Sequence, residues 1–243
     1  MKGKKSNVFI YMILTILAVV FLAPIFIILF NSFKGKLYIS DAPFKLPTAE
    51  TFSGLQNYID GLSKTGFLSA FGWSIFITFF STIVIVLFTA MTGWYITRSK
   101  TKVSTSLYFI FVFSMIVPFQ MVMFTMSKVA NMLNLDNPVG LIVLYIGFGA
   151  GLSIFMFSGF VKSIPIDIEE AALIDGCNPI KTFFLIVLPL LKPICITVAI
   201  LNVMWIWNDY LLPSLVLKSD YKTIPMAVQY LRGGYGAIDM GAM

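Results

Sequence analysis

Five stretches of this chain are apolar enough and long enough to cross a lipid bilayer, and that leaves few ways for it to fold. They are Val8–Phe30, about Phe71–Ile96, about Ser104–Thr125, about Pro138–Val161 and about Ile194–Leu212. A helix needs about 20 apolar residues to cross a hydrocarbon core of roughly 30 Å. Inside that core every backbone N–H and C=O must be paired within the protein, so runs of this length predict helices. Composition agrees: 12% of the residues are charged, about half the share in a soluble domain, and the mean hydropathy is +0.91. The expected fold class is all-α, a polytopic transmembrane helix bundle.

The first run follows a basic start, Met1 to Lys5, with the polarity of a signal peptide. It is about 23 residues long, beyond the roughly 7–15 of a signal core, and no A-x-A site follows. It therefore reads as an uncleaved anchor and first span. The segment Asn31–Gly66, with Pro43, Pro47, Gly54, Gly61 and Gly66, is too long for a tight turn and too broken for one helix. Residues 1–66 thus read as an anchor span plus an external segment, and 67–243 as the main transmembrane domain. Asn131–Asn137 is a short connection, and Ser214–Met243 is a polar tail with Gly233, Gly234, Gly236 and Gly241.

Orientation follows from Lys and Arg near the span ends. With the N-terminus inside, Lys2, Lys4, Lys5, Arg98, Lys100, Lys102, Lys162, Lys181 and Lys192 lie on the inner face. Lys34, Lys36, Lys45, Lys64, Lys128, Lys218, Lys222 and Arg232 lie on the outer face. The counts nearly balance, but the inner residues crowd short segments, which selects N-inside in a multi-pass membrane protein.

Several chemistries are excluded. There is no histidine, so imidazole metal sites and a histidine base are absent. Cys177 and Cys195 are too few for a disulfide framework. No G-x-x-x-x-G-K-[ST] loop is present to bind ATP, and no G-x-S-x-G. The net charge of +6 points to anionic lipid surfaces; with no separate basic domain, it does not point to nucleic acid. Neither a catalytic nor a metal site is expected, and no cofactor.

Between the fourth and fifth runs the chain carries a charged segment, E-A-A-L-I-D-G from Glu170 to Gly176, then nine residues, then I-V-L-P ending at Pro189. Asp167 with Glu170 three positions on fits a capping box. Asp167, Glu169 and Glu170 suit the positive end of a helix dipole. Gly176 fits a left-handed stop, and Asn178 followed by Pro179 fits a second start. Helix, sharp turn and second helix are expected, the second reaching the membrane at Leu188-Pro189. Ala171 and Ala172 would let another backbone come close, and Glu170 offers an anionic contact to a partner's arginine or amides.

The pattern Glu170-Ala171-Ala172-x-x-x-Gly176-x9-Ile186-x-Leu188-Pro189 resembles the EAA loop of ABC-importer membrane permease subunits. Pro24 with Ser32-Phe33-Lys34, Asn57-Tyr58, Pro118 with Gln120, Ile164-Pro165, and Trp207 to Tyr210 resemble, in order, the carbohydrate-uptake branch. They look most like the smaller permease subunit of maltose-type systems. The resemblance implies a type I ABC importer bundle in the cytoplasmic membrane of a prokaryote. It makes Glu170, Ala171, Ala172, Asp175, Gly176, Leu188 and Pro189 the surface coupled to a separate ATPase. It implies a homologous permease, two ATP-binding subunits and an extracellular solute-binding protein as partners. ATP would be bound by the ATPase partner and not by this chain. The family usually has six spans; a sixth is missing after Tyr235–Met243, as in a partial or truncated sequence.

Polar residues at the spans are the candidates for a translocation path. Asp209, near the outer end of the fifth run, stands with Trp207, Asn208 and Tyr210, a combination of ring, amide and carboxylate suited to sugars. Gln120 follows Pro118 and would line the path near a proline kink. The expected function is import of a sugar or small oligosaccharide. The alternatives are a non-sugar solute (polyol, phosphoester, peptide) and a membrane-embedded enzyme using Asp209 with Asp220 or Asp239. Gly147-x-x-x-Gly151 and Thr89-x-x-x-Gly93 fit close helix packing.

Overall fold

The computed structural model describes residues 2–231. Arg232, the tail glycines, Asp239 and the segment Tyr235–Met243 lie outside the described residues. In chain order the helices are α1 (Lys2–Asn31), α2 (Lys36–Asp41), α3 (Gln56–Thr65), α4 (Phe67–Ser99), α5 (Lys102–Ile116), α6 (Phe119–Met132) and α7 (Pro138–Val161). Then come α8 (Asp167–Ile174), α9 (Pro179–Thr182), a π-helical turn (Phe183–Val187), α10 (Leu188–Leu190), α11 (Lys192–Asn208), α12 (Leu211–Val216) and α13 (Ile224–Tyr230). No strand occurs among the described residues.

Three helices, over Val8–Asn31, Phe67–Ser99 and Pro138–Val161, are each long and apolar enough to span a membrane. The other two expected spans are bent pairs. Lys102–Ile116 and Phe119–Met132 meet at 105°, and Pro179–Leu190 and Lys192–Asn208 meet at 78°. The run Ser104–Thr125 is therefore not one continuous helix. Pro118 has no N–H to donate and pushes Val117 into extended backbone (ψ 116°), which ends α5. Likewise the run Ile194–Leu212 stops at Asn208, and Asp209 to Tyr210 form a break before α12.

The chain divides into two compact units, one running to Leu68 and taking in the segment from Ala227, the other Ser69–Met226. In the first, the segment after α1 is a clasp. The Asn57 amide is buried and donates to the Ser32 and Lys34 carbonyls at 2.8 and 2.6 Å. Phe33 packs on Phe52 and Tyr58, and Ser32 Oγ lies 2.7 Å from the Tyr58 hydroxyl. Lys34 is only 1% exposed. Its ammonium donates to the Ala42 carbonyl at 2.8 Å and lies 5.1 Å from the Phe30 ring centre. Lys34 is therefore part of the clasp.

In the second unit, α5 and α11 both lie against α7, and α12 lies against α6. One apolar cluster joins Ile77, Ile85, Leu141, Tyr145, Ile206 and Leu212. Another, of Ala90, Phe157, Val161, Ile164, Phe183, Val187, Leu191 and Val198, sits where α4, α7 and the π turn converge. Small residues set the close approaches. A Cβ added at Gly93 would come within 2.8 Å of Phe157 Cβ and 3.2 Å of the Ser158 backbone nitrogen. Thr89, one turn earlier, is buried. Gly151 meets the Phe111 carbonyl and Gly149 meets Ile85 and Asn202, whereas a Cβ on Gly147 would find open space. Gly149 and Gly151 pack and Gly147 does not, so the 147/151 pair does not form a seam. At the end of α6, Asn134 takes a left-handed φ of 55°. The Lys218–Asp136 ion pair at 2.9 Å ties that connection to the segment after α12.

Candidate functional site

The segment between α7 and α11 forms an elbow, and α8 is its raised part. One face of α8 carries Glu169 and Ala172, both buried; the other carries Glu170, Leu173 and Ile174, all exposed. Residues three and four apart share a helix face, and neighbouring glutamates, about 100° apart around the axis, point in different directions.

Glu169 is the anchor. Its Oε1 accepts from Arg98 at 2.8 Å (guanidinium Nη2) and 2.9 Å (Nε). Its Oε2 accepts from the Trp94 indole N–H at 2.8 Å. Arg98 also donates to the Ile164 carbonyl at 2.9 Å, holding the loop that leads into α8. The Trp94 ring lies 5.5 Å from that of Phe183, which begins the π turn beyond the elbow. Two side chains near the end of α4 thus fix both arms of the elbow. From sequence, Glu169 reads only as a charge at a helix start and Arg98 only as an interfacial cation, and Trp94 does not stand out. The adjacent acids are the available signal, since two carboxylates at consecutive helical positions cannot face the same way.

The turn follows a defined pattern. Gly176 has φ +81°, its N–H donates to the Leu173 carbonyl at 3.1 Å, and Cys177 N–H donates to the Ala172 carbonyl at 2.9 Å. This is a Schellman stop, which requires the left-handed residue. The Asn178 side chain accepts from Lys181 N–H at 2.8 Å, with Pro179 in the first turn of α9. The expected capping box at Asp167 does not form. Ile166 is the N-cap, with helical backbone and no side-chain bond, and Asp167 already lies inside the helix. The Ile164-to-Arg98 bond holds the preceding turn instead.

Glu170, Ala171, Asp175 and Gly176 are exposed, and Ala172 is buried under the elbow. Leu173 and Ile174 on α8 and Ile180 on α9 are 55%, 86% and 66% exposed. That apolar fringe is not apparent from the sequence. Leu188 is half-buried and Pro189 exposed, past the π turn. The surface offers the carboxylates of Glu170 and Asp175, a backbone turn and apolar side chains, which suits a docked protein.

The candidate path residues lie elsewhere in the same unit. Asp209 accepts from the Tyr145 hydroxyl at 3.0 Å through one oxygen, and from Leu211 and Leu212 N–H at 2.9 and 3.3 Å through the other. Its carboxylate caps α12 and ties it to α7. Asn208 bonds the Met204 carbonyl at 2.7 Å, and Trp207 meets Phe71 edge to face at 6.1 Å. Tyr210 and Gln120 are exposed, Gln120 just past the proline break.

Three membrane-length apolar helices and two bent apolar pairs are those of an integral membrane protein. Residues 86–234 match the family described as the binding-protein-dependent transport system inner membrane component. The chain is 39% identical over 221 residues to the probable starch degradation products transport system permease protein AmyC of Thermoanaerobacterium thermosulfurigenes, covering 90% of this chain and 80% of that one. It is 34% identical over 240 residues to the multiple sugar-binding transport system permease protein MsmG of Streptococcus mutans, covering 96% and 85%. A crystal structure of a bacterial ABC transporter involved in importing the acidic polysaccharide alginate contains a chain of the same fold. The TM-score is 0.79 at 21% identity, over 99% of this chain and 89% of that one. The chain belongs to the binding-protein-dependent ABC transporter permeases.

Proposed function

We propose that the chain is a permease subunit of an ATP-driven importer for a sugar or small oligosaccharide, and that the elbow is its coupling point to a separate ATPase. The observation that carries this is the Glu169–Arg98–Trp94 clamp, which makes the elbow rigid while leaving Glu170 and Ile174 outward. A rigid lever transmits force; a loose loop does not. The N-terminus and elbow would face the cytoplasm. A second permease would complete the path, two ATPase subunits would hold the nucleotide, and an external binding protein would deliver the solute. Closure of the ATPase pair would push α8, and α4 and α7 would follow through Arg98 and Trp94. Such a push shifts the equilibrium only through contacts that differ between the two states.

Glu170, Ala171, Asp175, Gly176, Leu188 and Pro189 form the docking surface in this reading, with Ala172 beneath it. The cargo class rests on the relatives, whose names include starch degradation products and melibiose, raffinose and stachyose. Of the path candidates, Gln120, Trp207, Asn208 and Tyr210 would meet the solute, while Asp209 is taken up by Tyr145 and the start of α12.

Uptake of labelled oligosaccharide by cells expressing the full transporter tests the reading. Glu170→Lys should lower uptake at least about tenfold, the loss of one charge-assisted contact of roughly 1.5–3 kcal/mol, with the amount of chain in the membrane unchanged. Unaltered uptake would refute the coupling role.

A further inference from the structure

Three helix ends meet beside Arg98. The end of α4, the start of α5 and the end of α7 enclose a cavity of about 540 Å³ lined by Ile96, Arg98, Lys100, Tyr108, Phe109 and Lys162 among others. Arg98 is neutralised by Glu169. Lys100 and Lys162 are exposed and form no ion pair among the described residues, and the lining contains no carboxylate. The Lys162 ammonium lies 6.0 Å from the centre of the Tyr108 ring. Ile96 and Phe109 supply the apolar part of the wall, and Thr97, Thr105 and Ser158 add hydroxyls.

Lysine at a helix C-terminus is ordinary, because the dipole favours a cation there. Lys100 is not ordinary. It occupies a left-handed φ of 45°, the stop position that usually takes glycine. The chain places a long cation where the backbone favours no side chain at all, and that cation lines the same cavity as Lys162.

We propose that this cavity binds the phosphate headgroup of an anionic phospholipid, with Lys100 and Lys162 on the phosphate and acyl chains along Ile96 and Phe109. A membrane lipid is favoured over a soluble anion because α4 and α7 are both membrane-length helices that end at the cavity, which places it at headgroup depth. Half-apolar walls suit a lipid and not inorganic phosphate. Basic pockets between transmembrane helices take such headgroups. The site requires only that α4 and α7 cross the bilayer, so it stands whether or not the elbow couples to an ATPase.

The test is native mass spectrometry of the chain assembled with its partner subunits in uncharged detergent. It is titrated with phosphatidylglycerol, phosphatidylcholine or inorganic phosphate. Phosphatidylglycerol should bind at least about tenfold tighter than phosphatidylcholine and should resist displacement by inorganic phosphate. Each lysine should contribute about fivefold, so Lys100→Gly with Lys162→Gln should weaken it about 25-fold. Lys100→Gly alone suits the backbone and should not lower the melting temperature, so its fivefold loss reads charge and not misfolding. Equal affinity for the two lipids on the unaltered transporter would overturn the proposal. So would displacement by inorganic phosphate, or undiminished binding by the double variant.

Discussion

Glu169→Ala should disable transport more completely than any change at the exposed Glu170. Removing the carboxylate leaves the Trp94 indole N–H without its acceptor and the Arg98 guanidinium without its counter-charge, with only the Ile164 carbonyl left to it, in a site where Arg98 is 19% exposed and Glu169 9%. Breaking a buried pair from one side costs about 3–5 kcal/mol, and the partial exposure of Arg98 puts this case near the lower end. The elbow then loses its fixed angle to α4. Melting temperature of the purified transporter and uptake should both fall. Arg98→Ala should act alike, and Arg98→Lys should rescue little because an ammonium cannot reproduce the fork. The double variant Glu169→Ala with Arg98→Ala should cost less than the sum of the two, since neither charge is then stranded. Additive losses would show that the pair is not a unit.

The second large effect is expected one turn away in the core. Gly93→Val places branched carbon against Phe157 Cβ and the Ser158 backbone nitrogen, and a backbone atom cannot rotate aside. Overpacking of this kind costs about 1–3 kcal/mol. The damage reaches further because Trp94 and Arg98 follow on the same helix: separating α4 from α7 withdraws both donors from Glu169. Lower thermal stability and raised protease cleavage between α8 and α9 should appear together. A Gly93→Val protein with wild-type melting and an uncleaved elbow would contradict the close approach of α4 to α7 at this position.

The apolar runs made the helices legible, and Pro138–Val161 matches its run end to end. The turn at Gly176 and the start at Asn178-Pro179 were equally plain, because each depends on local backbone chemistry. The bends were only half legible. Pro118 announces a break, but its 105° depends on what α6 packs against. The clasp of Asn57 with Ser32 and Lys34 links residues over 20 positions apart, beyond any local pattern. Least visible was which glutamate is buried. Glu169 and Glu170 are alike in composition and differ only in helix phase, set by a start at Ile166 without the expected cap. The docking role of Glu170 therefore rests on the resemblance, while the clamp beneath it comes from the fold.

Site-directed labelling of Glu170→Cys, in a chain whose Cys177 and Cys195 are replaced by serine, asks where the elbow lies and what covers it. If a cytoplasmic ATPase drives the membrane helices through α8, a membrane-impermeant maleimide should leave this cysteine untouched in intact cells. The same reagent should label it in inverted vesicles stripped of ATPase, and adding the ATPase back should block the reaction. Labelling from outside intact cells, or identical labelling with and without the ATPase, would contradict it.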